Sequence, residues 1–156
     1  MARASYRVID EPGPTGLEQA IVNPIWPMFA TMMAGSWLGY PWYMLNSLAL
    51  GGRRRFWDLG IALGGWAVSA ALLFGIGALA SRLLLDERNL VFALLAPIGV
   101  RMVVLYWLYL RQETTYQLYV YFGGKTRNAL ILVFAGAFLR GTVLGGLSPF
   151  WQTLLG

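Results

Sequence analysis

Two arginines carry the least expected chemistry in this chain. In LLAPIGVRMVVLYWLYL, residues 94–110, Arg101 stands near the middle of an apolar run, and LILVFAGAFLRGTVLGGL, residues 130–147, repeats the arrangement with Arg140. A guanidinium holds a permanent charge and five N–H donors, so in apolar surroundings it binds an anion, pairs with an acid or saturates carbonyl groups. An arginine at the centre of a membrane helix costs about 2.5–3.5 kcal/mol on an insertion scale, which some partner must offset. All seven acids, Asp10, Glu11, Glu18, Asp58, Asp86, Glu87 and Glu113, fall in the flanks of the apolar runs. Glu113 follows Arg101 on one helical pattern at a rise of about 18 Å, too far to pair within one chain.

Four answers stay open at this level. The side chains snorkel toward a surface. Aromatic faces from Trp37, Tyr40, Trp42 or Trp66 receive them as cation-π partners. Carbonyls freed by Pro41 or Pro97, or bared beside Gly136 and Ala137, accept their hydrogen bonds. Or an acid, a lipid phosphate or a transported anion comes from outside the chain.

Composition narrows the class. Of 156 residues 58% are hydrophobic and 12% charged, about half the charged fraction of a soluble domain. That balance predicts an integral membrane protein. The first 23 residues are polar and lack the basic, apolar, small-residue order of a cleavable signal, so none is expected. With no His and no Cys, the usual ligands for haem, iron–sulfur clusters and zinc are missing, so no cofactor and no metal are expected. The commonest catalytic base is missing too, and no carboxylate pair sits in an apolar run, so the chain reads as non-enzymatic.

The elements that must position the arginines read as four spans: approximately 26–50, 59–80, 89–110 with an extension to 122, and 129–147. The expected fold is therefore all-α, a compact bundle of four transmembrane helices in one domain over 24–156, preceded by a polar tail over 1–23. In that tail Thr15 and Glu18 have capping-box spacing and open a short interfacial helix over about 16–22. The first span is irregular: Pro24, Pro27 and Pro41 interrupt it, and a kink is expected near Gly39 to Pro41. An alternative makes this segment re-entrant, leaves three spans, and moves the tail to the side of Arg53, Arg54, Arg55, Arg111, Lys125 and Arg127, which improves the positive-inside balance.

Between the first two spans, Arg53, Arg54 and Arg55 beside Phe56 and Trp57 read as an anchor for anionic lipid headgroups, with Trp57 at the interface. Three charges are too few for a nucleic-acid surface, and none is expected. Gly60 and Gly64, then Ala71 and Gly75, form small-residue rows in the second span, and Ala137, Gly141 and Gly145 form another in the fourth, which predicts close helix packing. The extension of the third span, TYQLYVYF, carries Tyr116, Tyr119 and Tyr121 and is expected to meet headgroups or a partner.

AGSWLGYPWYMLNSLALGGRRR, residues 34–55, and RQETTYQLYVYFGG, residues 111–124, carry a resemblance. The first is a Gly-containing span ending in Asn, a Leu-Gly turn and basic residues. The second is a Gln-containing helix end followed by Gly-Gly. In this the chain resembles small uncharacterised bacterial integral membrane proteins, which implies a bacterial cytoplasmic (inner) membrane and no particular activity.

The sequence thus points to a non-catalytic membrane protein that works by assembly, as a homo-oligomer or a small accessory subunit, with lipids and other membrane subunits or itself as partners. Arg101, Arg140, Tyr116, Tyr119 and Tyr121 are the expected contacts. An anion channel or transporter lined by Arg101 and Arg140 is the alternative, and a small membrane-disrupting effector the third.

Overall fold

The computed structural model describes residues 16–82 and 86–156; the tail before residue 16, and Thr15 of the expected capping box, lie outside the described residues. The described residues are helical, with no strand among them beyond one isolated bridge. A 3₁₀ turn, Glu18–Ala20, precedes α1 (Ile25–Met33), α2 (Ser36–Leu50), α3 (Arg55–Ser81), α4 (Glu87–Ala93), α5 (Leu95–Tyr121), α6 (Leu130–Gly145) and α7 (Pro149–Leu155). Two helical stretches, Arg55–Ser81 and Arg88–Tyr121, are long and apolar enough to cross a membrane, and α6 is a shorter apolar helix.

The segment expected to form a first span does not run as one helix. The chain reverses at Ala34 and Gly35, and α1 and α2 lie side by side as a hairpin. Near its open end the Tyr43 hydroxyl donates to Pro24 O at 3.0 Å, and Val22 N donates to Asn46 Oδ1 at 3.0 Å. Gly35 makes the reversal with φ +115° and ψ 173°, a conformation that is essentially reserved for glycine. A Cβ there would also collide with Leu155 O. The expected kink at Gly39 to Pro41 is therefore displaced to residue 35. Pro41 is held within α2, and Gly39 instead lets α1 approach, since a Cβ at 39 would overlap Thr31.

Residues beyond the 3₁₀ turn pack rather than lie on a surface. Ile21 and Val22 are buried. Ile21 joins Ala49, Leu50 and Tyr116 in an apolar cluster, and Val22 forms a parallel bridge with Arg127. The hairpin's open end, the 51–54 turn, the end of α5 and the 123–128 connection thus share one end of the bundle, called the basic end here. It carries Arg53, Arg54, Arg55, Arg111, Lys125 and Arg127, while Arg82 and Arg88 lie at the far end.

α3 and α5 run antiparallel. Arg111 meets Asp58 near the basic end, and a Cβ on Gly65 would sit 2.8 Å from Val104 Cγ1. Between them and the hairpin lies the main core: Tyr40, Tyr43, Ala62, Leu105 and Leu108, flanked by Met28, Met44 and Trp66. Burying each such aromatic or leucine side chain is worth about 1.5–3 kcal/mol in water; outside this core the pattern reverses. Phe56, Phe74, Val103, Ile131 and Phe138 point outward and are largely exposed, while Asn46, Gln112, Ser69 and Arg101 are buried. Polar groups inside and apolar groups outside is the distribution a bundle adopts when its surroundings are apolar.

The small-residue rows are turned differently from expectation. A Cβ at Gly60, Gly64, Gly75, Gly141 or Gly145 would meet no atom of the described residues within 4 Å, and Ala71 is exposed. The close approaches are made one residue away: Gly65 faces Val104 and Tyr40, and Gly136, not Ala137, faces Leu38 and Ala34. One residue is about a 100° rotation of a helix, enough to move a row from an inner to an outer face. Both rows therefore lie on the outside of this chain.

Candidate functional site

α7 was not expected as a helix, and it organises the site. Ser148 and Pro149 open it in the N-cap and N1 positions, the start signal that the tail SPFWQTLLG carried in plain sight. Phe150 packs on Phe74 of α3, with centroids 4.5 Å apart. From the far end α7 then points back into the bundle, and its final carbonyls meet the tip of the α1–α2 hairpin. Two short helical elements thus arrive from opposite ends and stop against each other.

Helices that stop inside a bundle leave up to four carbonyls each without intrahelical partners. Here the arginines supply the donors. Arg101 Nη2 donates to Thr153 O at 3.0 Å and to Leu154 O at 3.1 Å. Ser36, the first residue of α2, donates from Oγ to the same Leu154 O at 2.7 Å. Arg140 Nη2 donates to Gly156 O at 3.2 Å, and its Nη1 reaches Met33 O, the last carbonyl of α1, at 3.4 Å. The charge also suits the site, because the carbonyl end of a helix carries the negative end of its dipole.

Both arginines therefore have partners in their own chain, and they converge on one junction. Of the four answers that the sequence left open, free carbonyls are the one realised, although they belong to helix ends and not to Pro41 or Pro97. The two positions differ in depth. Arg101 is 8% exposed, whereas Arg140 lies on the outer surface of α6.

A second polar assembly fills the basic end. Asn46 Nδ2 donates to Gln112 Oε1 at 3.0 Å, and Gln112 Nε2 donates to Tyr43 O at 2.9 Å. Asn46 Oδ1 accepts from Val22 N, so one buried amide pair ties α2, α5 and the chain before α1. Alongside it, Asp58 accepts from Arg111 Nε at 2.7 Å through Oδ1 and from Ser47 Oγ at 3.0 Å through Oδ2. Asp58, in a flank of the apolar run by sequence, lies in the first turn of α3. Asn46 and Gln112 stand in the two quoted motifs, Asn46 inside an apolar segment and Gln112 just past the end of one, and no spacing in the sequence pairs them.

The other expected contact residues disperse. Tyr116 is buried in the cluster with Ile21 and Leu50. Tyr119 lies against Gly124 and its hydroxyl donates to Lys125 O at 3.3 Å. Tyr121 points outward, 82% exposed, edge-on to Phe122. At the anchor, Arg55 lies 5.0 Å over the Phe56 ring, Arg53 and Arg54 are exposed, and Trp57 is outward-facing. Among the described residues no cluster of three or more acidic side chains offers a metal site.

Comparison with protein-family models, with curated proteins and with solved structures finds no match to this chain, so its function is argued from the residues themselves.

Proposed function

We propose that this chain is a non-catalytic integral membrane protein that works by assembly, with copies of itself or as a small accessory subunit of a larger membrane complex. α3, the α4–α5 pair and α6 are its three spans. The α1–α2 hairpin enters from the basic end and returns, and α7 enters from the other side. This replaces the four-span arrangement, and it brings residues 16–22 to the basic end. Six cations at that end favour a cytoplasmic position for it by the positive-inside rule, and the sequence resemblance favours the bacterial inner membrane. Non-helical backbone at membrane depth is tolerated where protein encloses it, and the hairpin tip at Ala34, Gly35 and Ser36 is buried.

The observation that carries the assembly reading is the orientation of the glycine rows. Gly60, Gly64 and Gly75 on α3, and Gly141 and Gly145 on α6, face no other element among the described residues. Glycine in a membrane helix gives up side-chain packing, and it regains that loss where another helix comes close. Arg53, Arg54, Arg55 and Trp57 hold the basic end against anionic headgroups.

A conducting path lined by Arg101 and Arg140 has less support, because the donors of both that are bound point at carbonyls of the chain. The test is the intact mass of the complex released from its native membrane in gentle detergent, for the unaltered chain and for Gly64→Leu and Gly141→Leu. An oligomer or a stoichiometric partner, lost in one of the leucine variants, supports the reading. A monomer in every preparation overturns it.

A further inference from the structure

Three buried polar atoms in the region of Arg101 have no hydrogen-bond partner among the described residues: Tyr40 Oη, Trp66 Nε1 and Ser69 Oγ. Tyr40 is fully buried and Ser69 is 1% exposed. In apolar surroundings an unpaired hydroxyl or N–H is strongly unfavourable, so three together call for an explanation. They also lie close together. The Tyr40 ring stacks on Trp66 with centroids 5.5 Å apart, and its hydroxyl is 3.2 Å from where a Cβ on Gly65 would stand. Ser69 is one turn beyond Gly65 on the same face of α3. The antiparallel register that sets Asp58 beside Arg111 and Gly65 beside Val104, carried one turn further, brings Ser69 level with Arg101.

Arg101 is itself incompletely used. Its Nη2 makes both of its hydrogen bonds to α7, and no partner engages Nε or Nη1 among the described residues. Tyr40 and Arg101 are electrostatic neighbours, and Arg140 adds a second positive charge to the field at Arg101. Among the described residues no side-chain carboxylate answers them at this depth: Asp58 is engaged by Arg111 and Ser47 about three turns away by helical rise. Carbonyls satisfy geometry but bring no net negative charge.

We propose that Arg101, Tyr40, Ser69 and Trp66 form a buried site for one small monovalent inorganic anion of the chloride type. Nε and Nη1 of Arg101, the indole N–H and the two hydroxyl protons all donate toward it, and the hydroxyls orient by rotation alone. The anion is resident, holding α2, α3 and α5 together beside the α7 junction. This does not rest on the assembly reading, and it concerns a different face of the molecule.

The test uses the full chain in nanodiscs of zwitterionic lipid, titrated with sodium chloride or sodium bromide against sodium gluconate at constant ionic strength. The readouts are the unfolding temperature and tryptophan emission, which bromide quenches. Chloride is expected to raise the unfolding temperature saturably where gluconate does not. Tyr40→Phe and Ser69→Ala each raise the half-saturating chloride concentration by about tenfold, the worth of one hydrogen bond to a charged group. Trp66→Phe removes the saturable part of the bromide quenching. Coincident chloride and gluconate curves would overturn the proposal and leave the groups dry or water-filled. So would a Ser69→Ala variant that is stabilised equally in both salts, the behaviour of a hydroxyl that is merely unpaired. Should Tyr40→Phe not fold, Ser69→Ala decides alone.

Discussion

The chain buries polar groups in two places and satisfies them by different means. At the basic end, side chain meets side chain: Asn46 with Gln112, and Asp58 with Arg111 and Ser47. At the junction with α7, guanidiniums and one hydroxyl meet backbone carbonyls. The first arrangement fixes which residues may stand at given positions. The second fixes where helices may end. A lattice of side chains fails when one member is changed, whereas a junction of carbonyls fails when the backbone no longer arrives.

Asn46→Leu should be the most damaging single change, because it leaves Val22 N–H and Gln112 Oε1 buried without partners; at about 1–3 kcal/mol per orphaned group the loss is about 3–4 kcal/mol. Unfolding in detergent followed by circular dichroism measures it, and protease cleavage near residue 22 should accelerate. Gly35→Ala tests the junction without touching a polar side chain. The strained conformation alone costs about 1–3 kcal/mol, and the collision with Leu155 O adds to it, for a loss of about 3 kcal/mol by thermal unfolding. If Gly35→Ala proves neutral, the hairpin and α7 do not meet as described.

Arg101→Met comes next, at about 2 kcal/mol, since lost charge-assisted hydrogen bonds are partly offset by removing a buried charge. Ser36→Ala shares the acceptor Leu154 O, so a double-mutant cycle between the two should show coupling, and strict additivity would count against one shared junction. Asp58→Asn is the mildest. Its pair with Arg111 is partly open, with side chains 11% and 22% exposed, and Asn retains an acceptor, so about 1 kcal/mol or less is expected.

The same comparison explains what the sequence made legible. Helical class, an apolar exterior and the end of α5 beyond the apolar run follow from periodicity and composition. Asn46 could be seen as a polar residue in an apolar segment, whereas Gln112, in RQETTYQ, looks like one polar residue among several. Backbone carbonyls leave no mark in a sequence, so the partners of Arg101 and Arg140 could not be read, and the missing charge pointed outside the chain. Pro41 drew attention because prolines usually break helices. Gly35 among several glycines did not, since only its positive φ distinguishes it from Gly39 six residues before Leu45. The glycine rows were sound as spacing, but a 100° rotation separates Gly64 from Gly65, and spacing does not set rotation.

The bond between Ser36 and Leu154 joins residues 118 positions apart, and it has a consequence for synthesis. The hairpin and Arg101 are synthesised well before residues 153–156 exist. Until then Arg101 sits in the growing protein without its two carbonyl partners, and Gly35 has not yet met Leu155. A nascent chain stalled before residue 149 should therefore remain exposed to membrane quality control, and release from it should coincide with the arrival of α7.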